Sequence, residues 1–455
     1  MTSLPKALLK AALFATTASA TNLFVACTNG NLTTLSLTGT GNTSNLAISS
    51  WTNECASNPA ALNLDSQNRI LYCMDRASSS SVNGSMNSFD VDTNGNLTRL
   101  ARIPVPASGV WAGFFGAEGG NKGLATVHYN RSAYSIISIS DDGQLNGPVQ
   151  STFPTLSAPG PITLRQDRSY LHQVQTDPTG KYLIMNDLGG DMVRVFTYDT
   201  ETLAPVTEVS QLLTEAGVGP RHGRFLTAAS GKLYYFFVGE LSQKVYSYEI
   251  AYTEGGMSWT KVFEIPALGV GNERAPQTAP TSGIELTPDN KFLIVSNRDV
   301  SFLAKDGPTD TLSTFSINAD GTLELVQLAP SGGWSPRQFS LNKKGDLLAV
   351  GHQNNFTVII WQRDLVSGKI VGEGKSITLS TAVVATIWDE TRLIQSAYEI
   401  LSNPQKRRAY DATLPSDFRK SSTFAATCDD ASDSEEEYSN RDLNKEHDED
   451  LQHAL

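Results

Sequence analysis

Apolar and polar positions alternate along this chain in short bursts, and the bursts repeat one phrase. Asp177-Pro-Thr-Gly-Lys-Tyr-Leu-Ile-Met-Asn-Asp187, Thr287-Pro-Asp-Asn-Lys-Phe-Leu-Ile-Val-Ser-Asn297 and Asn342-Lys-Lys-Gly-Asp-Leu-Leu-Ala-Val-Gly-His352 each run from a polar turn into an unbroken apolar strand. Asp65-Ser-Gln-Asn-Arg-Ile-Leu-Tyr-Cys73 and Ala229-Ser-Gly-Lys-Leu-Tyr-Tyr-Phe-Phe-Val238 are looser copies. A polar interruption and a second alternating run follow, such as Val193-Arg-Val-Phe-Thr-Tyr198 or Thr357-Val-Ile-Ile-Trp361, which is the pattern of a hairpin. Seven such units fit between Asn22 and Glu390, at roughly 50 residues each, the period of four-stranded blades. The chain therefore reads as all-β, a seven-bladed β-propeller. Each blade buries two apolar faces, and the loops at the mouth of the central channel are where function is expected.

Composition refines this picture at the two ends. The net charge is -12, but residues 429 to 450 hold eleven acidic and two basic side chains, so nine of those charges belong to the tail. The propeller is close to neutral, and nucleic-acid binding has no electrostatic support. No run approaches the roughly 20 apolar residues that span a bilayer, so no membrane segment is expected. The first residues carry Lys6 and Lys10, the apolar Ala11-Ala-Leu-Phe-Ala15 and the small-x-small Ala18-Ser-Ala20, as a secretory leader does. Residues 1–20 are read as a signal peptide and the protein as secreted, with a cytoplasmic location as the alternative. Sequons at Asn31, Asn42, Asn83, Asn96, Asn130 and Asn355 agree with secretion. Cys27, Cys55, Cys73 and Cys428 have no metal-binding spacing. One pair among the first three is able to bridge in an oxidising compartment, and buried small hydrophobes are the alternative.

Polar residues at the edges of the repeated strands are the candidates for chemistry, because those positions face the mouth. His172 precedes the fourth unit, Arg221 and His222 the fifth; Glu240 and Arg298 follow long strands of the fifth and sixth. Two arginines on one cavity repel unless an anion is present, so Arg221 and Arg298 predict a carboxylate or phosphate on the ligand. His172 and Glu240 offer acid/base groups, and the arginines an oxyanion site. This combination suits opening or closing a lactone ring. A ring of Arg–Glu ion pairs that simply closes the channel is the structural alternative, and would make the propeller an interaction scaffold. No cofactor is expected and no metal is required. On the catalytic reading, Glu240→Gln should abolish turnover and leave the folding transition in place.

Residues 22 to about 390 resemble the lactonase seven-bladed β-propeller family, which includes propeller-type 6-phosphogluconolactonases and fungal 3-carboxy-cis,cis-muconate lactonizing enzymes. The resemblance is carried by His172-Gln-Val-Gln-Thr-Asp-Pro-Thr-Gly180, Gly219-Pro-Arg-His222, Gly239-Glu-Leu241, Thr287 to Arg298 and Ser335-Pro-Arg-Gln-Phe339. It implies catalytic roles for His172, Arg221, Glu240 and Arg298, with Arg221 and Arg298 also binding substrate. Further substrate contacts are expected from His222, Glu285, Arg337 and Tyr129. It implies a small anionic lactone or carboxylate as ligand, hydrolysed or cyclised. Gly239 departs from the family's Asn before the Glu, and His128-Tyr129 stands where Asn-Tyr is frequent.

After Glu390 the grammar changes. Arg392-Leu-Ile-Gln-Ser-Ala-Tyr-Glu-Ile-Leu401 has helical spacing, stopped by Ser402-Asn-Pro404. Ala397-Tyr-Glu-Ile-Leu-Ser-Asn-Pro-Gln-Lys-Arg-Arg-Ala-Tyr-Asp411 resembles the end of a J-domain, the module that stimulates Hsp70. The His-Pro-Asp loop of that module is missing, so neither an Hsp70 partner nor a co-chaperone role is expected. The expected organisation is thus a signal peptide at 1–20, a propeller at 21–390, partial J-domain-like helices at 391–411 and an acidic disordered tail at 412–455.

Overall fold

The computed structural model describes residues 20–39, 43–116, 122–298 and 309–390. The leader expected at 1–20 falls outside them except for Ala20, as do the helical segment 391–411 and the acidic tail 412–455.

Seven four-stranded antiparallel sheets form the blades of a propeller. Blade 1 is closed by both ends of the described chain: its innermost strand, Val383–Asp389, pairs with Thr21–Cys27 in the register Asn22 to Asp389. Blades 2 to 7 are each built from four consecutive strands. Their innermost strands are Pro59–Asp65, Gly109–Gly116, Leu171–Thr176, Pro220–Thr227, Thr281–Leu286 and Pro336–Leu341. The apolar runs of the repeated phrase are the second strands. Ile70–Asp75, Phe292–Asn297 and Leu233–Gly239 are buried along their whole length, because a second strand has sheet neighbours on both edges and another blade on both faces.

The core is divided among the spaces between blades. Phe237 is fully buried and stacks on Tyr246 at 5.0 Å, in a cluster that also holds Ile184, Val193 and Val195 from the blade before. Burying a side chain of this size is worth about 1.5–3 kcal/mol. The polar turns of the phrase close on themselves. In blade 4 the Asp177 carboxylate accepts from the backbone N–H groups of Thr179, Lys181 and Tyr182, which is why Asp or Asn suits that position. Cys55 is disulfide-bonded to Cys73, and Cys27 is a buried free thiol.

One local feature governs what the channel presents. In every blade the pairing of the innermost strand with the second strand slips near the mouth. The slip falls between Leu171 and Gln173 in blade 4, between Pro220 and Gly223 in blade 5 and between Pro336 and Gln338 in blade 7. A bulge leaves its extra residue out of the ladder and re-aims that side chain. The bulged residues are Val384, Ala60, Val110, His172, Arg221 with His222, Ser282 with Gly283, and Arg337.

Candidate active site

Two tiers of residues reach the mouth. The first is the bulged residue of each innermost strand. The second is the residue directly after each second strand: Thr28, Arg76, Tyr129, Leu188, Glu240, Arg298 and Gln353. Together with Asn130, and with Arg165 from a helical turn, Thr163–Gln166, between blades 3 and 4, they enclose a cavity of about 310 Å³. Its walls are Arg76, Val110, Tyr129, Asn130, Arg165, His172, Arg221, Glu240, Arg298 and Arg337. Five guanidiniums thus face one space that holds a single carboxylate.

That carboxylate ties three of them. Glu240 is 2% exposed. Its Oε1 lies 2.6 Å from Arg165 Nη2 and 3.1 Å from Arg298 Nη2, and its Oε2 lies 2.7 Å from Arg221 Nε. Burial pushes the carboxyl pKa up, but the guanidiniums of Arg298, Arg221 and Arg165 outweigh it and hold the group well below the usual carboxylate range. A carboxylate held this way is a poor proton acceptor and a strong anchor. Backbone carbonyls complete the hold: Arg221 Nη1 donates to Ser282 O at 2.7 Å, and Arg298 donates to Pro280 O and Thr281 O. Arg165 donates to the Tyr129 hydroxyl at 3.1 Å.

Arg76 and Arg337 are held differently. Both are half-buried, and neither guanidinium has an ion-pair or hydrogen-bond partner among the described residues. Burial, together with Arg298 and Arg76, pushes Arg337 down to about 10. The argument from repelling arginines therefore applies to this pair, since Arg221 and Arg298 already have their anion in Glu240.

His172 is 4% exposed and shares a hydrogen bond of 3.2 Å between its Nδ1 and His222 Nε2. Burial, with Arg221 adding to it, holds both imidazoles well below the ordinary histidine range, so both are neutral at physiological pH. Arg221 Nη1 lies 3.4 Å from His222 Nε2 and 3.5 Å from its Nδ1, so it faces the ring as a whole. One tautomer of the pair puts the shared proton on His172 Nδ1. The other nitrogen of His172, Nε2, is then unprotonated. The rings are fixed by aromatic contacts, Tyr129 against His172 at 5.4 Å and Trp111 against His222 at 4.6 Å.

The expected residues divide accordingly. His172, Arg221, Glu240, Arg298, Arg337 and Tyr129 come together on the cavity. His222 stands behind His172 and outside the lining, as the second residue of the blade 5 bulge. Glu285 is not brought to the cavity: it is ion-paired with Arg224, at 2.9 Å from Nε, four residues along the strand from Thr281, a distance of roughly 13 Å. Arg224 in turn lies 5.8 Å over the Trp111 ring, lower in the channel. The substrate contact expected of Glu285 is therefore corrected to an ion pair inside the channel.

Arg76 and Arg165 escaped the reading of the sequence. Arg76 was legible: counted from Asp65, it holds the phase that Arg298 holds from Thr287. Arg165 lies in an irregular connection with no periodic signal. At Gly239, where the family pattern has Asn, a Cβ would lie 2.3 Å from Ser242 Oγ and 2.8 Å from the Val218 carbonyl. Here the turn before Glu240 admits only glycine unless the backbone shifts. Among the described residues no group of three or more His, Cys, Asp or Glu is placed to hold a metal ion, and no helix is long and apolar enough to cross a membrane.

Comparison with known proteins agrees with the fold. The family profile described as Lactonase, 7-bladed beta-propeller, matches residues 19–387. A probable 6-phosphogluconolactonase of Arthroderma benhamiae is 27% identical over 329 residues, 71% of this chain and 78% of that one. A 6-phosphogluconolactonase of Formosa agariphila is 26% identical over 317 residues, 69% of this chain and 83% of that one. Among solved structures, the periplasmic gluconolactonase of Pseudomonas aeruginosa superposes with a TM-score of 0.67 at 22% identity, covering 81% of this chain and 99% of that chain.

Proposed function

Because the chain belongs to the seven-bladed β-propeller lactonase family, we propose that it is a lactone hydrolase that opens a small anionic lactone in the cavity between His172 and the arginines. The observation that carries the proposal is a neutral, buried imidazole at the wall of a cavity in which Arg165, Arg221 and Arg298 are tied to Glu240, the last two also to backbone carbonyls. Relatives named 6-phosphogluconolactonase make that lactone the first substrate to try.

In this reading His172 Nε2 takes a proton from water as the oxygen attacks the lactone carbonyl carbon, and charge develops on the carbonyl oxygen. Arg221 and Arg298 stabilise that oxyanion, and they need little rearrangement because their other donors are already engaged. Collapse breaks the bond from carbonyl carbon to ring oxygen, and the His172 imidazolium returns its proton to the leaving alkoxide. The product acid then ionises, so each turnover releases one proton. Low basicity favours the second step, since the imidazolium formed in this buried place is a strong acid. His222 is a positioning residue that fixes the His172 tautomer, and Glu240 positions the arginines.

The disulfide Cys55–Cys73 supports synthesis into an oxidising compartment. Sequon Asn130 is exposed on the cavity rim, and a glycan there would border the opening.

The test is proton release at constant pH with a panel of 6-phosphogluconolactone, glucono-lactone and muconolactone. Hydrolysis that drops by about 10²-fold or more in His172→Ala is the expected result, the scale of a lost general base. A folded protein that turns over none of the panel would refute the proposal and return weight to the interaction scaffold. Ring closure of a muconate without lactone hydrolysis would move the protein to the cycloisomerase branch.

A further inference from the structure

Beside the cavity, toward blades 1, 2 and 7, lies an annex of about 30 Å³ that shares Arg76, Val110 and Arg337 with it. An annex of this size accommodates about two water-sized groups, the dimensions of the terminal oxygens of an oxyanion. Its floor and sides include Thr28, Asn58 and Gln353. Gln353 accepts from Ser335 Oγ at 3.5 Å, and its amide nitrogen has no partner among the described residues. Arg76 follows the second strand of blade 2, and Arg337 is the bulged residue of blade 7. They converge from either side of blade 1 with no carboxylate between them.

We infer that Arg76 and Arg337, with Gln353, form an oxyanion subsite separate from the three arginines held by Glu240, and that it binds the anionic substituent of the substrate. Three observations support it. The two guanidiniums are the only ones on the cavity without an ion-pair or hydrogen-bond partner among the described residues. The annex beside them places the hydrogen-bonding side chains of Thr28, Asn58 and Gln353 next to both guanidiniums, and it shares Arg76, Val110 and Arg337 with the main cavity. Burial first, and then the charges of Arg298 and Arg76, lower the basicity of Arg337, and a bound oxyanion would offset all three. The inference rests on the lactonase reading for its substrate, and it gives that substrate a direction. The lactone carbonyl lies toward blades 4 to 6, where His172, Arg221 and Arg298 are, and the charged group lies toward blades 7 and 2.

The binding arm uses inorganic phosphate and calorimetry on the full-length protein, Arg76→Gln and Arg337→Gln. Loss of one charge-assisted contact predicts affinity weaker by about 10- to 100-fold in each variant. Arg76→Lys, which keeps the charge and loses the fork, should fall between and serves if a glutamine variant does not fold. The kinetic arm compares kcat/KM for 6-phosphogluconolactone with that for uncharged glucono-lactone, and the ratio should collapse by a similar factor in Arg76→Gln. Muconolactone in place of the phosphorylated substrate distinguishes carboxylate from phosphate as the group recognised. Phosphate that binds the wild type and both variants equally, or does not bind the wild type, overturns the subsite. If the wild type hydrolyses no lactone at all, the lactonase reading is what fails, and the calorimetry alone decides the subsite.

Discussion

Replacing Glu240 by Gln keeps the shape of the side chain and removes its charge from the centre of three guanidiniums. The carboxylate is 2% exposed and lies 2.6, 2.7 and 3.1 Å from Arg165, Arg221 and Arg298. Removing one partner of a buried pair costs about 3–5 kcal/mol, because the remaining charge stays buried without compensation. Here three charges lose their partner together, and Arg76 and Arg337 add like charge across the same cavity. With an unfolding entropy of about 2.1 cal/mol/K per residue over roughly 370 residues, this loss lowers the melting temperature by about 4–6 °C. The sequence alone suggests that this variant loses turnover with its folding transition in place; the three ion pairs predict that both change. Differential scanning fluorimetry across a chloride or phosphate series measures the shift, and an anion bound in the cavity beside the uncompensated guanidiniums should recover part of it. An unchanged melting temperature at low salt would refute the anchoring role of Glu240, whatever happened to turnover.

Acid should weaken the fold through its buried histidines. His128 and His352 are pushed down to about 3 and about 4 by burial, and His172 and His222 lie well below the ordinary value. Unfolding restores a pKa near 6.5, so the unfolded chain binds more protons below that pH. Stability is therefore complete above about 6.5 and falls as pH drops toward 4, by up to 1.4 kcal/mol per unit for each histidine, or roughly 5 kcal/mol per unit for four. Denaturant midpoints that stay constant from pH 7.5 to 5 would contradict this. Breaking the Cys55–Cys73 bridge with Cys73→Ser opens a loop with a separation of 18 residues and should cost about 3 kcal/mol; equal midpoints with and without reductant in the wild type would argue against it. His222→Asn should leave His172 without its fixed tautomer, lower kcat more than it raises KM, and shift the acid limb of the pH–rate profile. A variant with the wild-type profile would leave His222 a packing residue.

The blades were legible because their apolar runs are second strands, packed on both sides and therefore written as unbroken hydrophobic phrases. The site was legible where it follows from that phrase. Glu240 and Arg298 come directly after it, and Arg76 does too, which makes Arg76 a missed reading rather than a hidden one. The innermost strands are harder to read. They are short and partly polar, and their bulges decide which residue turns to the channel, so nothing in spacing alone separates Arg221 from Arg224 or Ser282 from Glu285. Glu285 was assigned to the site by the family resemblance and lies with Arg224 because the ladder carries it down the channel. Arg165 comes from a connection whose path depends on contacts across the mouth, such as its bond to Tyr129, and these have no local signature. Which arginines lack an internal anion was not legible for the same reason: Arg221 and Arg298 share Glu240, whereas Arg76 and Arg337 have no ion-pair partner among the described residues.

The innermost strand of blade 1 is also the last strand of the propeller to be synthesised. Blades 2 to 7 are contiguous in the chain and can form in order as it leaves the ribosome. The strand Thr21–Cys27 must meanwhile wait with one edge unpaired until Val383–Asp389 arrives. Val384, a wall of the annex beside Arg76 and Arg337, arrives with it. A nascent or truncated chain that stops short of this segment has six complete blades, an adhesive edge and no Val384 wall beside Arg76 and Arg337.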